Sequence, residues 1–249
     1  MKFQRHLIVA TLSLATATAY AAGDHDTKWG YTGHGSPESW GELSPKFRAC
    51  AEGKSQSPIN ITETVEGDLP ALKVNYRPSK VEVINNGHTI QANYSDSNNT
   101  LRVGDKVYTL KQFHFHVPSE NLIKGKSFPL EAHFVHADAK GNLAVIGVLY
   151  ENGKDNSRLA PIWQAMPEKN GGKTALKQSF NAATLLPASL DYYRFSGSLT
   201  TPPCSEGVSW MVLKSFDHIG KAQVDKFSRV MGGPNNRPVQ PVNARIVVQ

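Results

Sequence analysis

Gln112-Phe113-His114-Phe115-His116-Val117 is the stretch on which the reading of this chain turns. Successive side chains of a β-strand point to opposite faces, so His114 and His116 share one face while Phe113, Phe115 and Val117 take the other. Seventeen residues after His116 comes His133, within Leu130-Glu131-Ala132-His133-Phe134-Val135, a short apolar run that a hairpin fold-back lays beside the first. That pairing brings a third imidazole to the first two. Three neutral nitrogens with a fourth position open make a zinc site. Gln112 lies on the face of His114 and Glu131 on the face of His133, and a ligating histidine generally gives its other ring N–H to such an oxygen. His136 has the wrong parity to join His133 and is expected to pack or hydrogen-bond on the opposite face.

Outward from this hairpin the chain reads as a series of short strands: residues 81–84, 100–108, 110–117, 130–136, 143–150 and 208–213 are the clearest. Asn86-Gly87, Lys124-Gly125-Lys126 and Lys140-Gly141-Asn142 separate them as turns. The class is mainly β. Two helices are expected, one with Ser157 as its cap and Leu159, Ile162, Trp163 and Met166 on a stripe, the other over residues 221–231 with Val224, Phe227 and Met231 together. Both stripes read as core contacts.

At the N-terminus, Met1-Lys2-Phe3-Gln4-Arg5-His6 carries positive charge, residues 7–19 form an apolar run too short to cross a membrane, and Ala19-Tyr20-Ala21 offers small residues where a signal peptidase reads. Residues 1–21 are therefore expected to be a signal peptide and residues 22–249 one domain of about 228 residues, uninterrupted by any Gly/Ser- or Pro-rich linker. Without Lys2 and Arg5 there are 25 basic residues against 21 acidic ones, a net charge of +4 with no block of like charges. That balance argues against nucleic-acid or membrane binding. Cys50 and Cys204 are the only cysteines; in an exported chain an even count suggests one disulfide, with two free buried thiols as the alternative.

Taken together, the motifs strongly resemble the α-class carbonic anhydrases. Besides Gln112-Phe113-His114-Phe115-His116 and Glu131-Ala132-His133-Phe134-Val135-His136, the match runs through Trp29-Gly30-Tyr31, Gln56-Ser57-Pro58-Ile59-Asn60, Asn85-Asn86-Gly87-His88, Ser198-Leu199-Thr200-Thr201-Pro202-Pro203-Cys204 and Arg237-Pro238-Val239-Gln240-Pro241. The resemblance implies a single domain around a large, twisted, mostly antiparallel sheet of about ten strands with a few short peripheral helices. It implies a Zn2+ ion on His114, His116 and His133, and reversible hydration of CO2 to bicarbonate and a proton by attack of a zinc-bound hydroxide.

By the same resemblance, Thr200 donates its hydroxyl proton to Glu120, which as a carboxylate only accepts, so the lone pairs of Thr200 are left to orient the nucleophile. The Thr200 N–H is free for a bicarbonate oxygen because proline begins only at Pro202. Pro118 favours a turn that returns Glu120 towards the metal. CO2 is apolar and is expected against a dry wall, assigned to Val135, Val145, Leu199 and Trp210, with Thr201 also lining the substrate site. Strand parity independently puts Val135 on the face of His133. His88 matches the proton shuttle, a role suited to an imidazole. Simple alternation places His88 with Ile90 and Ala92, so that role requires a bulge or an irregular strand start.

Cys50 and Cys204 match the disulfide of exported members, and the stretches 117–121 and 232–236 follow bacterial rather than vertebrate forms. A bacterial periplasmic enzyme is the resulting expectation, with sulfonamide and anion inhibitors at the zinc and the oligomeric state left open, a homodimer included. Two other readings are a catalytically silent binding protein on the same fold, whose mark would be a lost zinc histidine, and an esterase side activity. The absence of a His-Glu-x-x-His helix argues against a metalloprotease of that kind.

Overall fold

The computed structural model describes residues 28–249; the expected leader, residues 1–21, lies outside them. Thirteen strands occur among the described residues: β1 (Asn60–Ile61), β2 (Leu72–Asn75), β3 (Val81–Asn85), β4 (Ile90–Tyr94), β5 (Thr100–Val103), β6 (Lys106–His116), β7 (Leu122–Ile123), β8 (Leu130–Ala137), β9 (Leu143–Asn152), β10 (Lys173–Ala175), β11 (Tyr192–Ser198), β12 (Glu206–Leu213) and β13 (Asp217–Ile219). Eleven form one sheet whose main path is β10-β3-β4-β6-β8-β9-β12-β11, while β1 and β7 pair separately. The sheet is mixed and predominantly antiparallel: β9 pairs in parallel with β12 and β13, and its other ladders are antiparallel.

The alternation of apolar side chains sorts this sheet into two faces. Along β12, Met211 and Leu213 enter one buried cluster and Val208, Trp210 and Val212 another; along β9, Ile146 and Val148 part in the same way from Val145 and Leu149. Phe113, Phe115 and Phe134 fill the first cluster beneath the histidine hairpin, together with Trp163 from α1 (Ala160–Ala165) and Phe227 from α2 (Lys221–Met231). Each such ring buried contributes roughly 2–3 kcal/mol. The histidines thus stand on a strand pair whose underside is dry and close-packed.

Two local expectations are corrected. Residues 100–108 are not one strand: Gly104 at φ +60 and Asp105 form a two-residue turn between β5 and β6, with Val103 opposite Lys106. Ser157 does not cap its helix; Asn156 does, its side chain accepting the Arg158 N–H at 3.0 Å before a 3-10 turn, Ser157–Leu159, leads into α1. The second helix occupies Lys221–Met231 and stops at Gly232, whose φ of +77 lets the N–H groups of Gly232 and Gly233 reach back to Arg229 and Ser228. No helix among the described residues is long and apolar enough to cross a membrane.

Candidate metal centre

Antiparallel pairing of β6 and β8 sets His114 opposite His133 and His116 opposite Glu131. The three imidazoles converge so that one nitrogen from each lies within 4.8 Å of the others. Each ring has its second nitrogen beside an oxygen. His114 Nδ1 donates to Gln112 Oε1 at 2.8 Å, His116 Nδ1 donates to the Asn235 carbonyl at 2.7 Å, and His133 Nε2 lies 2.9 Å from Glu131 Oε1 without a hydrogen bond. The free nitrogens are therefore Nε2, Nε2 and Nδ1, all turned to the common point.

Burial and the neighbouring imidazoles hold His114 and His116 well below the ordinary histidine pKa. Burial also presses His133 down, but the adjacent Glu131 and Glu120 carboxylates outweigh it and the net direction is upwards. His116 Nε2 is buried without a hydrogen-bond partner among the described residues. Three nitrogen donors, one of them otherwise orphaned, form the donor set that suits zinc.

Beneath His133, Glu131 Oε2 accepts the main-chain N–H groups of Glu120 and Asn121, both at 2.8 Å, and its Oε1 accepts Asn121 Nδ2 at 2.7 Å. Gly147 stands opposite His133 on β9, and a Cβ there would sit 3.0 Å from Glu131 Oε1. A glycine is what lets the carboxylate lie against the sheet.

Glu120 is buried, with Oε1 accepting the Arg237 N–H at 2.8 Å and Oε2 3.4 Å from His116 Nε2. Burial pushes its pKa up to about 7, against the opposing pull of His133, the Arg237 N–H and the Thr200 side chain. Thr200 is buried on the loop between β11 and β12. Leu199 N–H donates to Ser205 O, Cys204 N–H to Thr201 O, and a disulfide joins Cys204 to Cys50 across 154 residues. Thr201 is half-buried on the same loop. Val145 and Trp210 are buried, and partly buried Val135 and Leu199 pack into their cluster, with the Trp210 ring 4.8 Å from that of His133.

His88 lies in the turn between β3 and β4, not on a strand, because Asn86 Oδ1 accepts the N–H groups of both His88 and Thr89 at 2.9 Å. That turn releases His88 from strand alternation. Its ring stacks on Trp29 at 3.6 Å and 7°, and burial lowers its pKa. His136 occupies the other face, its Nδ1 donating to the Ala144 carbonyl and its Nε2 accepting from the Tyr76 hydroxyl.

Asn121, Asn235 and Arg237 complete the arrangement, and none stood out in the sequence as a site residue. Asn235 is the junction: its carbonyl takes His116, its Nδ2 donates to the His88 and Phe115 carbonyls, and its Oδ1 accepts the Val117 N–H.

The sequence profile of the eukaryotic-type carbonic anhydrase family matches residues 35–249. A carbonic anhydrase of Neisseria gonorrhoeae is 62% identical over 251 residues, covering 100% of this chain and 99% of that one. One from Pectobacterium carotovorum is 46% identical over 239 residues, covering 96% and 98%. Among solved structures, the α-carbonic anhydrase of Thermovibrio ammonificans in complex with the inhibitor sulfanilamide superposes with a TM-score of 0.87 at 48% identity, covering 90% of this chain and 99% of that one.

Proposed function

The chain belongs to the eukaryotic-type, α-class carbonic anhydrase family, whose activity is the reversible hydration of CO2, and we propose that it catalyses this reaction on a zinc ion held by His114, His116 and His133. The observation that carries the proposal is the convergence of three ring nitrogens within 4.8 Å while the other nitrogens of His114 and His116 are hydrogen-bonded to Gln112 and Asn235 and that of His133 lies against Glu131. A zinc ion bound there supplies a nucleophile at neutral pH by acidifying water, an effect of which carbonic anhydrases are the type case.

The protein's own groups do the rest. Glu120 keeps Oε1 on the Arg237 N–H and accepts a hydrogen bond from the Thr200 hydroxyl, so Thr200 Oγ1 presents lone pairs towards the reacting oxygen. Val135, Val145, Leu199 and Trp210 form an apolar wall that receives CO2 and excludes water. The Thr200 N–H holds the oxygen that becomes bicarbonate, and Thr201 borders the product. His88 accepts the released proton on its imidazole and passes it to buffer.

Sulfonamides and small anions are inhibitors in this reading, competing for the open position. The deciding experiment measures zinc content and proton release from CO2 in the purified protein, with and without a chelator. Hydration that follows the zinc supports the proposal; zinc-loaded protein with no hydration above buffer overturns it.

The location follows from separate features. A basic, then apolar, then small-residue N-terminus and the Cys50–Cys204 disulfide both suit export to an oxidising compartment, the periplasm. N-terminal sequencing of protein recovered from the periplasmic fraction is expected to begin near residue 22; a chain retaining Met1 in the cytoplasm overturns this.

A further inference from the structure

Arg237 is a buried cation to which the mechanism above assigns only its main-chain N–H. The residue is 1% exposed, its Nη1 donating to Gln56 Oε1 at 2.9 Å and to the Ser57 carbonyl at 2.8 Å, its Nη2 donating to the Cys50 carbonyl at 2.9 Å. Its guanidinium carbon lies 5.6 Å from the Trp40 ring centroid. None of these partners is charged, and a buried ion lacking an ion pair is costly, so an apolar side chain of similar length would fill the space more cheaply. What such a side chain would not do is fix the main chain through a rigid fork of donors.

Each anchor of that fork leads to the loop that carries Thr200. Cys50 is bonded to Cys204; Gln56 Nε2 donates to the Cys204 carbonyl at 3.0 Å; and Ser57 exchanges two hydrogen bonds with Ser198, its N–H donating to Ser198 Oγ at 2.9 Å and its Oγ accepting the Ser198 N–H at 3.1 Å. The main-chain N–H of the same arginine holds Glu120 Oε1. One residue thus places the Glu120 carboxyl and the Thr200 loop in a common frame, with Glu120 Oε2 left facing the histidines.

We propose that Arg237 is a positioning residue for CO2 hydration: its guanidinium locks residues 50–57 and its own main chain so that Glu120 meets the Thr200 hydroxyl in one fixed geometry. The proposal rests on the function argued above and adds a residue that acts only through the pairing of Glu120 with Thr200. Displacements on the order of 1 Å in such an arrangement reach the rate without changing the ligands of the metal.

The test compares Arg237→Met, Arg237→Lys, Glu120→Gln and the combined variants by kcat, KM for CO2, zinc content and thermal unfolding. Folded, zinc-loaded Arg237→Met is expected to lose about tenfold in kcat with KM unchanged, and Arg237→Lys, which keeps the charge but not the fork, to lose less. Either change added to Glu120→Gln is expected to cost nothing further, because both act on one interaction. A role confined to stability would lower the unfolding temperature and leave kcat per bound zinc intact. That outcome in Arg237→Lys overturns the proposal even if Arg237→Met does not fold, as do losses that multiply in the combined variants. Failure of the underlying function would show separately, as a parent protein that holds zinc and does not hydrate CO2.

Discussion

Oε1 of Glu131 lies 2.9 Å from Nε2 of His133, and both oxygens of this buried carboxylate also accept N–H groups from Glu120 and Asn121. In the proposed mechanism, the residue that orients the third ligand is therefore hydrogen-bonded to the main chain of Glu120, the residue that orients Thr200. Replacing Glu131 by Gln puts an amide N–H among donors that need acceptors and removes the charge facing His133. We expect Glu131→Gln to bind zinc about 10–100-fold more weakly, measured by competition with a chelator of known affinity. An unchanged zinc affinity would show that His133 is held by the strand alone.

Thr200 is not one of the proposed metal ligands. Thr200→Ala is accordingly expected to keep its zinc and lose about a hundredfold in kcat, because what disappears is orientation of the reacting oxygen. Stopped-flow hydration normalised to metal content is the check, and loss of zinc from this variant would mean that Thr200 has been assigned the wrong task.

His88 stacks on Trp29, and burial lowers its pKa below 6.5. In its proposed role as shuttle, His88 is deprotonated and ready to accept at neutral pH, and limits turnover as the pH falls through its pKa. His88→Ala is expected to slow turnover in weak buffer and to recover with added imidazole. Equal rates in both conditions would remove His88 from proton transfer.

What strand parity could read, and what it could not, follows from how each residue is placed. Gln112, His114, His116, Glu131, His133, Val135 and His136 all lie on two paired strands, where position in sequence determines face, so their grouping was visible in the chain itself. Helix α2 was visible for the same reason, a sustained apolar period closed by Gly232. The Gly104 turn was missed because β-favouring residues on both sides made residues 100–108 look continuous. Asn235 and Arg237 act on groups more than a hundred residues away, from a Pro- and Gly-rich segment with no period, and Asn121 sits in a turn after Pro118. Such residues are defined by the three-dimensional approach of loops, on which local spacing is silent.

His136 gives a stability prediction independent of catalysis. It is buried on the face away from the candidate metal centre, its Nδ1–H given to the Ala144 carbonyl and its Nε2 taking the Tyr76 hydroxyl. Burial lowers its pKa to about 4, against the opposing pull of the Ala144 and Phe134 carbonyls. Unfolded, the same ring takes a proton near pH 6.5. Between those values the unfolded chain binds a proton that the native protein refuses, so stability falls as the pH drops from about 6.5 to about 4 and is fully present above that window. From pH 7.5 to pH 5 the contribution lost is on the order of 2 kcal/mol. Urea unfolding of the parent and of His136→Gln at both pH values isolates it, because the remaining histidines are common to the two proteins. The variant is expected to be less stable at pH 7.5 and to lose about 2 kcal/mol less on acidification; equal losses would mean that the His136 ring takes up its proton without leaving the fold.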